Sequence, residues 1–191
     1  MKVPLFILVI VAVAACTPSS KKTAPDELDI DSLLSFQVTL LAEKKVSLSK
    51  WAAVAAHQPD TVLAPSPTNW REELEVFQDL GLVNHTLYKD SYRVEDPLDD
   101  PRSNLNIRRL TTDEGPLRLL QIYYQGNLAR IRQLTGVIEE ANPLYSAHRE
   151  LTMRFDELNG QLALTSYSVE GFQKLALRDT VWFSVSGTVN W

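Results

Sequence analysis

From Asn104 to Val189 the chain is a succession of short segments in which apolar and polar residues alternate, separated by clusters of turn-forming residues. The segments are Asn104 to Thr111, Pro116 to Tyr124, Leu128 to Val137, His148 to Asp156, Gln161 to Val169, Phe172 to Arg178 and Val181 to Val189. Period-two alternation puts successive side chains on opposite faces of a strand. Turn signals lie between the segments at Asp113-Glu114-Gly115-Pro116, Gln125-Gly126-Asn127, Leu158-Asn159-Gly160, Glu170-Gly171 and Arg178-Asp179-Thr180. Asn159-Gly160 is the strongest, because the two-residue turn that matches strand twist needs positive φ at both positions. A chain so punctuated folds as an antiparallel meander. Glu139-Glu140-Ala141-Asn142-Pro143 interrupts the rhythm and is expected to be a longer connection, where the sheet folds over or a short helical turn intervenes.

The faces separate by chemistry. Leu151, Met153 and Phe155 point one way, and Glu150, Thr152, Arg154 and Asp156 the other; Val181, Phe183, Val185 and Val189 likewise oppose Trp182, Ser184, Ser186 and Thr188. One face is apolar and the other is wet.

Helical spacing appears only ahead of this meander. Ile30, Leu33, Leu34, Gln37, Leu40 and Leu41 recur on one side, widened by Phe36 and Val38, with Lys44 and Lys45 at the end where cations suit the helix dipole. Val46 to Trp51 then alternates as a strand, with a hairpin partner expected around Thr61-Val62-Leu63-Ala64, although Ala52-Ala53-Val54-Ala55-Ala56 would also suit a helix. A second helix is expected from Ser66-Pro67, with Asn69 and Glu72 at capping-box spacing and Trp70, Leu74, Phe77 and Leu80 as its stripe before Gly81. The predicted fold is α+β: two N-terminal helices packed on a curved antiparallel meander of about seven or more strands.

Ahead of the helices the chain changes character. Lys2 precedes the apolar run Leu5 to Val13, then come Ala14, Ala15 and Cys16, and Thr17 to Asp26 holds no large apolar residue. A membrane-spanning helix needs roughly 20 apolar residues, more than this run provides. The order of charge, apolar run and small residues is that of a secretory signal. Val13-Ala14-Ala15-Cys16 resembles the lipobox of bacterial lipoproteins. The resemblance covers the leader alone. It implies cleavage before Cys16, diacylation of the Cys16 thiol, and attachment to the membrane through that lipid. In enterobacterial lipoproteins an Asp after the cysteine retains the protein at the inner membrane; Thr17 in that place implies the outer membrane, facing the periplasm. The domain organisation expected is a signal over 1–15, a lipidated tether over 16–26 and a single α+β domain over 27–191.

The single cysteine leaves no disulfide, so the exported domain must rest on packing and hydrogen bonds. The net charge of −5 and the absence of a long Lys/Arg cluster argue against nucleic acid or anionic headgroups as the main partner. His57, His85 and His148 lack metal-ligand spacing, no serine sits in a nucleophile elbow, and seven glycines leave little room for a phosphate loop. The acidic run Glu95 to Pro101 lacks the alternation and central glycine of a calcium loop and reads as a solvated turn. Arg108-Arg109 reads as an exposed strand pair, and the four tryptophans as core or rim residues.

No metal, cofactor or catalytic set is expected, and the chain reads as a non-enzymatic module. One expected function is binding another envelope protein or component through the convex sheet face or its edge. The other is carriage of an apolar small molecule or acyl chain between helices and sheet, in a cavity lined by Leu40, Trp70, Phe77 and Phe155. A curved sheet plugged by helices is similar in architecture to the half-barrel of periplasmic lipoprotein carriers, a likeness of shape without a shared motif.

Overall fold

The computed structural model describes residues 28–54 and 68–191. The signal, Cys16, the tether, His57 and the expected partner strand at 61–64 all lie outside the described residues.

The first helix, α1, runs from Ile30 to Lys44. Its start is fixed by Asp29, whose carboxylate accepts from the Ser32 backbone N–H at 3.0 Å and from the Ser32 hydroxyl at 2.6 Å. Those two bonds hold the Asp29 carboxyl below its ordinary pKa. The helix stops at Lys45, which takes a left-handed conformation with φ 53° and returns its N–H to the Ala42 carbonyl. Ile30, Leu34, Gln37, Leu40 and Leu41 form its buried side.

The expected second helix is replaced by something tighter. Only Trp70–Glu73 is α-helical, a single turn here called α2, and Glu75–Asn84 continues as a 3-10 helix with Gly81 inside it rather than beyond its end. Asn69 occupies the cap position but its side chain makes no capping bond. The spacing supplies a reason: after Leu74 the buried residues are Phe77, Leu80 and Val83, every third position, which suits a helix of about three residues per turn. The predicted pair of regular helices is therefore one helix and a 3-10 segment.

Eight antiparallel strands form one open sheet: β1 (Ser47–Val54), β2 (Arg93–Asp99), β3 (Asn106–Thr111), β4 (Leu117–Tyr124), β5 (Ile131–Asn142), β6 (Tyr145–Leu158), β7 (Gln161–Leu175) and β8 (Val181–Asn190). β2 to β8 are neighbours in chain order, the expected meander, and β1 closes on β8, so the spatial order is β1-β8-β7-β6-β5-β4-β3-β2. β1 thus pairs with the strand at the far end of the meander, Ser47 opposite Asn190 and Val54 opposite Phe183.

Three sequence expectations about the sheet need correction. Glu139 to Asn142 belongs to β5, and Asn142 pairs with Tyr145 across a tight turn at Pro143-Leu144, so there is neither a long connection nor a helical turn. Glu170-Gly171 is not a turn either: β7 runs through it unbroken, with Arg149 of β6 opposite Gly171. A Cβ at Gly171 would run into the carbonyl oxygen of His148, so glycine here serves close approach of two strands. Finally, the acidic run after Arg93 is largely the edge strand β2, with a register shift between Glu95 and Leu98 around Pro97. Pro is compatible with an edge strand because it has no N–H to give a neighbour. The Asp96 side chain, 17% exposed, is bound rather than solvated, taking Arg108 Nε at 2.7 Å and the Tyr124 hydroxyl at 2.5 Å. Arg108 is accordingly no exposed residue, and burial raises the Tyr124 phenol, with the Asp96 bond adding to it.

Asn159-Gly160 behaves as read, with φ 53° and 77°, and joins Leu158 to Gln161. One continuous core runs from α1 (Ile30, Leu34, Leu41) through the 3-10 segment (Phe77, Leu80) to the sheet (Leu120, Leu134, Leu151, Met153, Leu164). The wet face is not uniformly wet: Thr135 and Thr152 are buried there, their hydroxyls 3.3 Å apart.

Candidate binding groove on the sheet face

The residues expected to line an apolar cavity are packed. Leu40, Trp70, Phe77 and Phe155 are all buried, and the last three belong to the common core. Phe77 meets Tyr167 edge to face, with ring centroids 5.6 Å apart. The Tyr167 hydroxyl donates to Glu73, which Lys50 Nζ also reaches at 2.7 Å. Burial raises the Tyr167 phenol pKa, and its hydrogen bond to the Glu73 carboxylate raises it further. An apolar hollow beside the core lies elsewhere, among Leu28, Val83, Tyr92, Val94, Leu110 and Ile122. It measures about 240 Å³, below the roughly 300–1,000 Å³ usual for ligand pockets.

The opposite face carries a different arrangement. Antiparallel register sets His148 of β6 opposite Phe172 of β7, and Phe172 opposite Trp182 of β8. His148 and Phe172 stack with centroids 5.8 Å apart and planes at 10°, and Phe172 and Trp182 lie 5.0 Å apart, tilted by 55°. One rung along, Glu150 faces Glu170, which faces Ser184, which faces Ala53 of β1. Together they border an open groove of about 400 Å³ lined by Ala53, His148, Glu150, Glu170, Trp182 and Ser184. Trp182 is 61% exposed.

Charges around the groove are unbalanced. His148 Nδ1 lies 3.4 Å from a Glu139 oxygen, which fixes the ring over Phe172. Arg149, on the alternate face, is taken by Asp79 at 3.1 Å and Glu140 at 3.3 Å. Arg154 stands two rungs from Glu150 and bonds Gln133. Lys174 is one rung beyond Phe172, on the far side from Glu170. Glu150 and Glu170 make no hydrogen bond or ion pair among the described residues, although like charges directly opposed across two strands are destabilising.

The same end of the sheet is apolar at its rim. Leu144 in the β5–β6 turn, Leu175, Leu177 and Val181 around the β7–β8 turn, and Val54 at the end of β1 are all exposed. The two turns are tied together by the Ala176 N–H to the Leu144 carbonyl at 2.8 Å. Register puts Leu175, Val181 and Val54 on the alternate face from Glu150 and Trp182, so they mark the groove's end of the sheet and not its floor.

A larger hollow near Ser91, Arg93, Arg118 and Glu139, about 610 Å³, mixes both signs of charge. Among the described residues no three His, Cys, Asp or Glu side chains are grouped to hold a metal ion, and no helix is long and apolar enough to cross a membrane.

Sequence alternation puts Glu150 and Trp182 on the wet face but does not place Phe172 between them. Splitting β7 at Gly171 hid the register that aligns His148, Phe172 and Trp182. Comparison with known protein families, with curated proteins and with solved structures finds none that matches this chain.

Proposed function

We propose that this chain is a lipid-anchored, non-enzymatic binding module of the bacterial cell envelope, held to the outer membrane through Cys16 and meeting another envelope protein at the groove over β6, β7 and β8. In this reading α1 and the 3-10 segment plug the core face of a curved half-barrel, which leaves the other face for a partner. The observation that carries it is an aromatic row ending in the exposed Trp182, beside two carboxylates that are unpaired among the described residues, on a chain whose leader resembles a lipobox. Two or more acyl chains at about 0.8 kcal/mol per buried CH₂ would make the attachment stable.

The test has two arms in cells producing the full chain. A tagged fatty acid should label the wild type and not Cys16→Ser. A photo-crosslinking residue at Ser184 should capture a protein that the same residue at Glu43, on α1, does not. Label on Cys16→Ser equal to wild type would remove the anchor, and identical products from both crosslinking positions would remove the groove.

The carrier reading is the weaker one. Leu40, Trp70, Phe77 and Phe155 are buried in side-chain packing, and the apolar hollow beside Tyr92 is small for an acyl chain.

A further inference from the structure

Resting on the groove as the partner site, we infer that its guest is an arginine side chain presented by an extended, basic segment of the partner protein. Three features of the groove select that chemistry. Among the described residues Glu150 and Glu170 stand opposite each other with no cation paired to either, so a guest that brings positive charge relieves a repulsion between them. Trp182 offers an exposed indole face, the ring most attractive to a cation, and it is held in place by Phe172. A guanidinium is planar and carries five donors in a fork, so it can lie on the indole and reach carboxylates at its edge; an ammonium is a compact, strongly hydrated point charge without that plane.

The groove is open and lies on a sheet face, between Ala53 and His148, so a single free cation would gain few contacts there. An extended segment gains more, because its neighbouring side chains can lie against Trp182, Phe172 and Ala53 while its arginine reaches Glu150 and Glu170. The surrounding charge agrees. The chain is net −5, and basic residues near this face are engaged or set back along the strands: Arg154 bound to Gln133, Arg118 4.0 Å from Glu139, and Lys174 one rung beyond Phe172.

The probe is a rhodamine-labelled tetra-arginine peptide, with its tetra-citrulline counterpart as the neutral isostere, titrated into the full-length protein and followed by fluorescence anisotropy. Wild type should bind the arginine peptide, and citrulline should bind at least about tenfold more weakly. The double variant Glu150→Gln/Glu170→Gln, and separately Trp182→Ala, should each lose about two- to fivefold in affinity for the arginine peptide, the scale of removing exposed ion pairs or an exposed cation–π contact. Glu95→Gln, an exposed acid on the distant edge strand β2, should bind like wild type, which separates the groove from general attraction to an acidic protein. Thermal melts verify that each variant is folded. Equal binding of citrulline and arginine, no binding of either, or equal losses from Glu95→Gln would overturn the arginine guest. A partner still crosslinked at Ser184 in that event leaves the groove itself standing, whereas arginine binding without any crosslinked partner would retire the protein-partner reading and keep the cation site.

Discussion

Gln37 lies on the buried side of α1, fully enclosed, and its amide does for β7 what a neighbouring strand would. β8 pairs with β7 only from Ser166 to Gln173, which leaves the backbone at Leu162 and Leu164 uncovered on that side. Gln37 Nε2 donates to the Leu162 carbonyl at 2.9 Å and its Oε1 accepts from the Leu164 N–H at 2.9 Å, while Trp191 Nε1 donates to the Leu164 carbonyl at 2.9 Å. Buried backbone groups need such partners. Gln37→Leu keeps much of the volume and removes both bonds, so we expect a loss of about 1–3 kcal/mol for each stranded group, read as a lowered midpoint in urea unfolding. A change under about 0.5 kcal/mol, the scale of an ordinary surface substitution, would mean that water reaches these groups. The spacing of Leu33, Leu34, Gln37, Leu40 and Leu41 placed Gln37 on the apolar side of the helix, so its burial was legible in the sequence. Its partners were not, because they stand 125 and 127 residues away and nothing local encodes that distance.

Among elements, β7 carries the most information and was the least well read. Its alternation is sound on both sides of Glu170-Gly171, and a Glu-Gly pair between two such segments has the composition of a turn. What decides for a strand is tertiary: the backbone of β6 at His148 presses so close that a side chain is excluded. The 3-10 segment was misread for a related reason, since Trp70, Leu74, Phe77 and Leu80 fit helical spacing until Val83 continues the period of three. β2 was passed over because charge and Pro97 outweighed pattern, although those are features by which edge strands discourage further pairing. The opposed Glu150 and Glu170 give an element-level prediction. Glu170→Gln should stabilise the domain by about 0.2–1 kcal/mol at neutral pH and low salt, because a like-charge cross-strand pair is removed. The gain should shrink as salt is added, since both carboxylates are exposed. A stability loss in Glu170→Gln would mean that Glu170 holds a favourable contact on its own strand or on β8.

At the scale of the molecule, the packed interior bears on whether the space between helix and sheet serves a ligand. Phe77→Ala removes a side chain with no solvent exposure at the junction of the 3-10 segment, α1 and β7, and should cost about 3–5 kcal/mol. Wild type should melt at the same temperature with and without added palmitate. A cost below about 1 kcal/mol together with a palmitate-dependent rise in the melting temperature would favour the carrier reading. The meander was legible in advance because each hairpin is local: alternation and turn residues determine which strand follows which. The closing pair was not, because β1 reads as the start of a hairpin of its own and only the completed sheet offers it β8. That pairing has a kinetic consequence. Leu158 and Gln161 meet across a two-residue turn, whereas the Asn190 side chain reaches Ser47 across 143 residues of chain. Closing the longer loop first would cost roughly 3 kcal/mol more in chain entropy, at about 0.6 kcal/mol for each doubling of length. Hairpins from β3 to β8 therefore assemble first, and β1 docks last onto an edge already built. Until it does, the outer side of β8 from Phe183 to Asn190 is an unpaired strand edge, so the folding chain passes through a state open to addition of a strand from a second molecule.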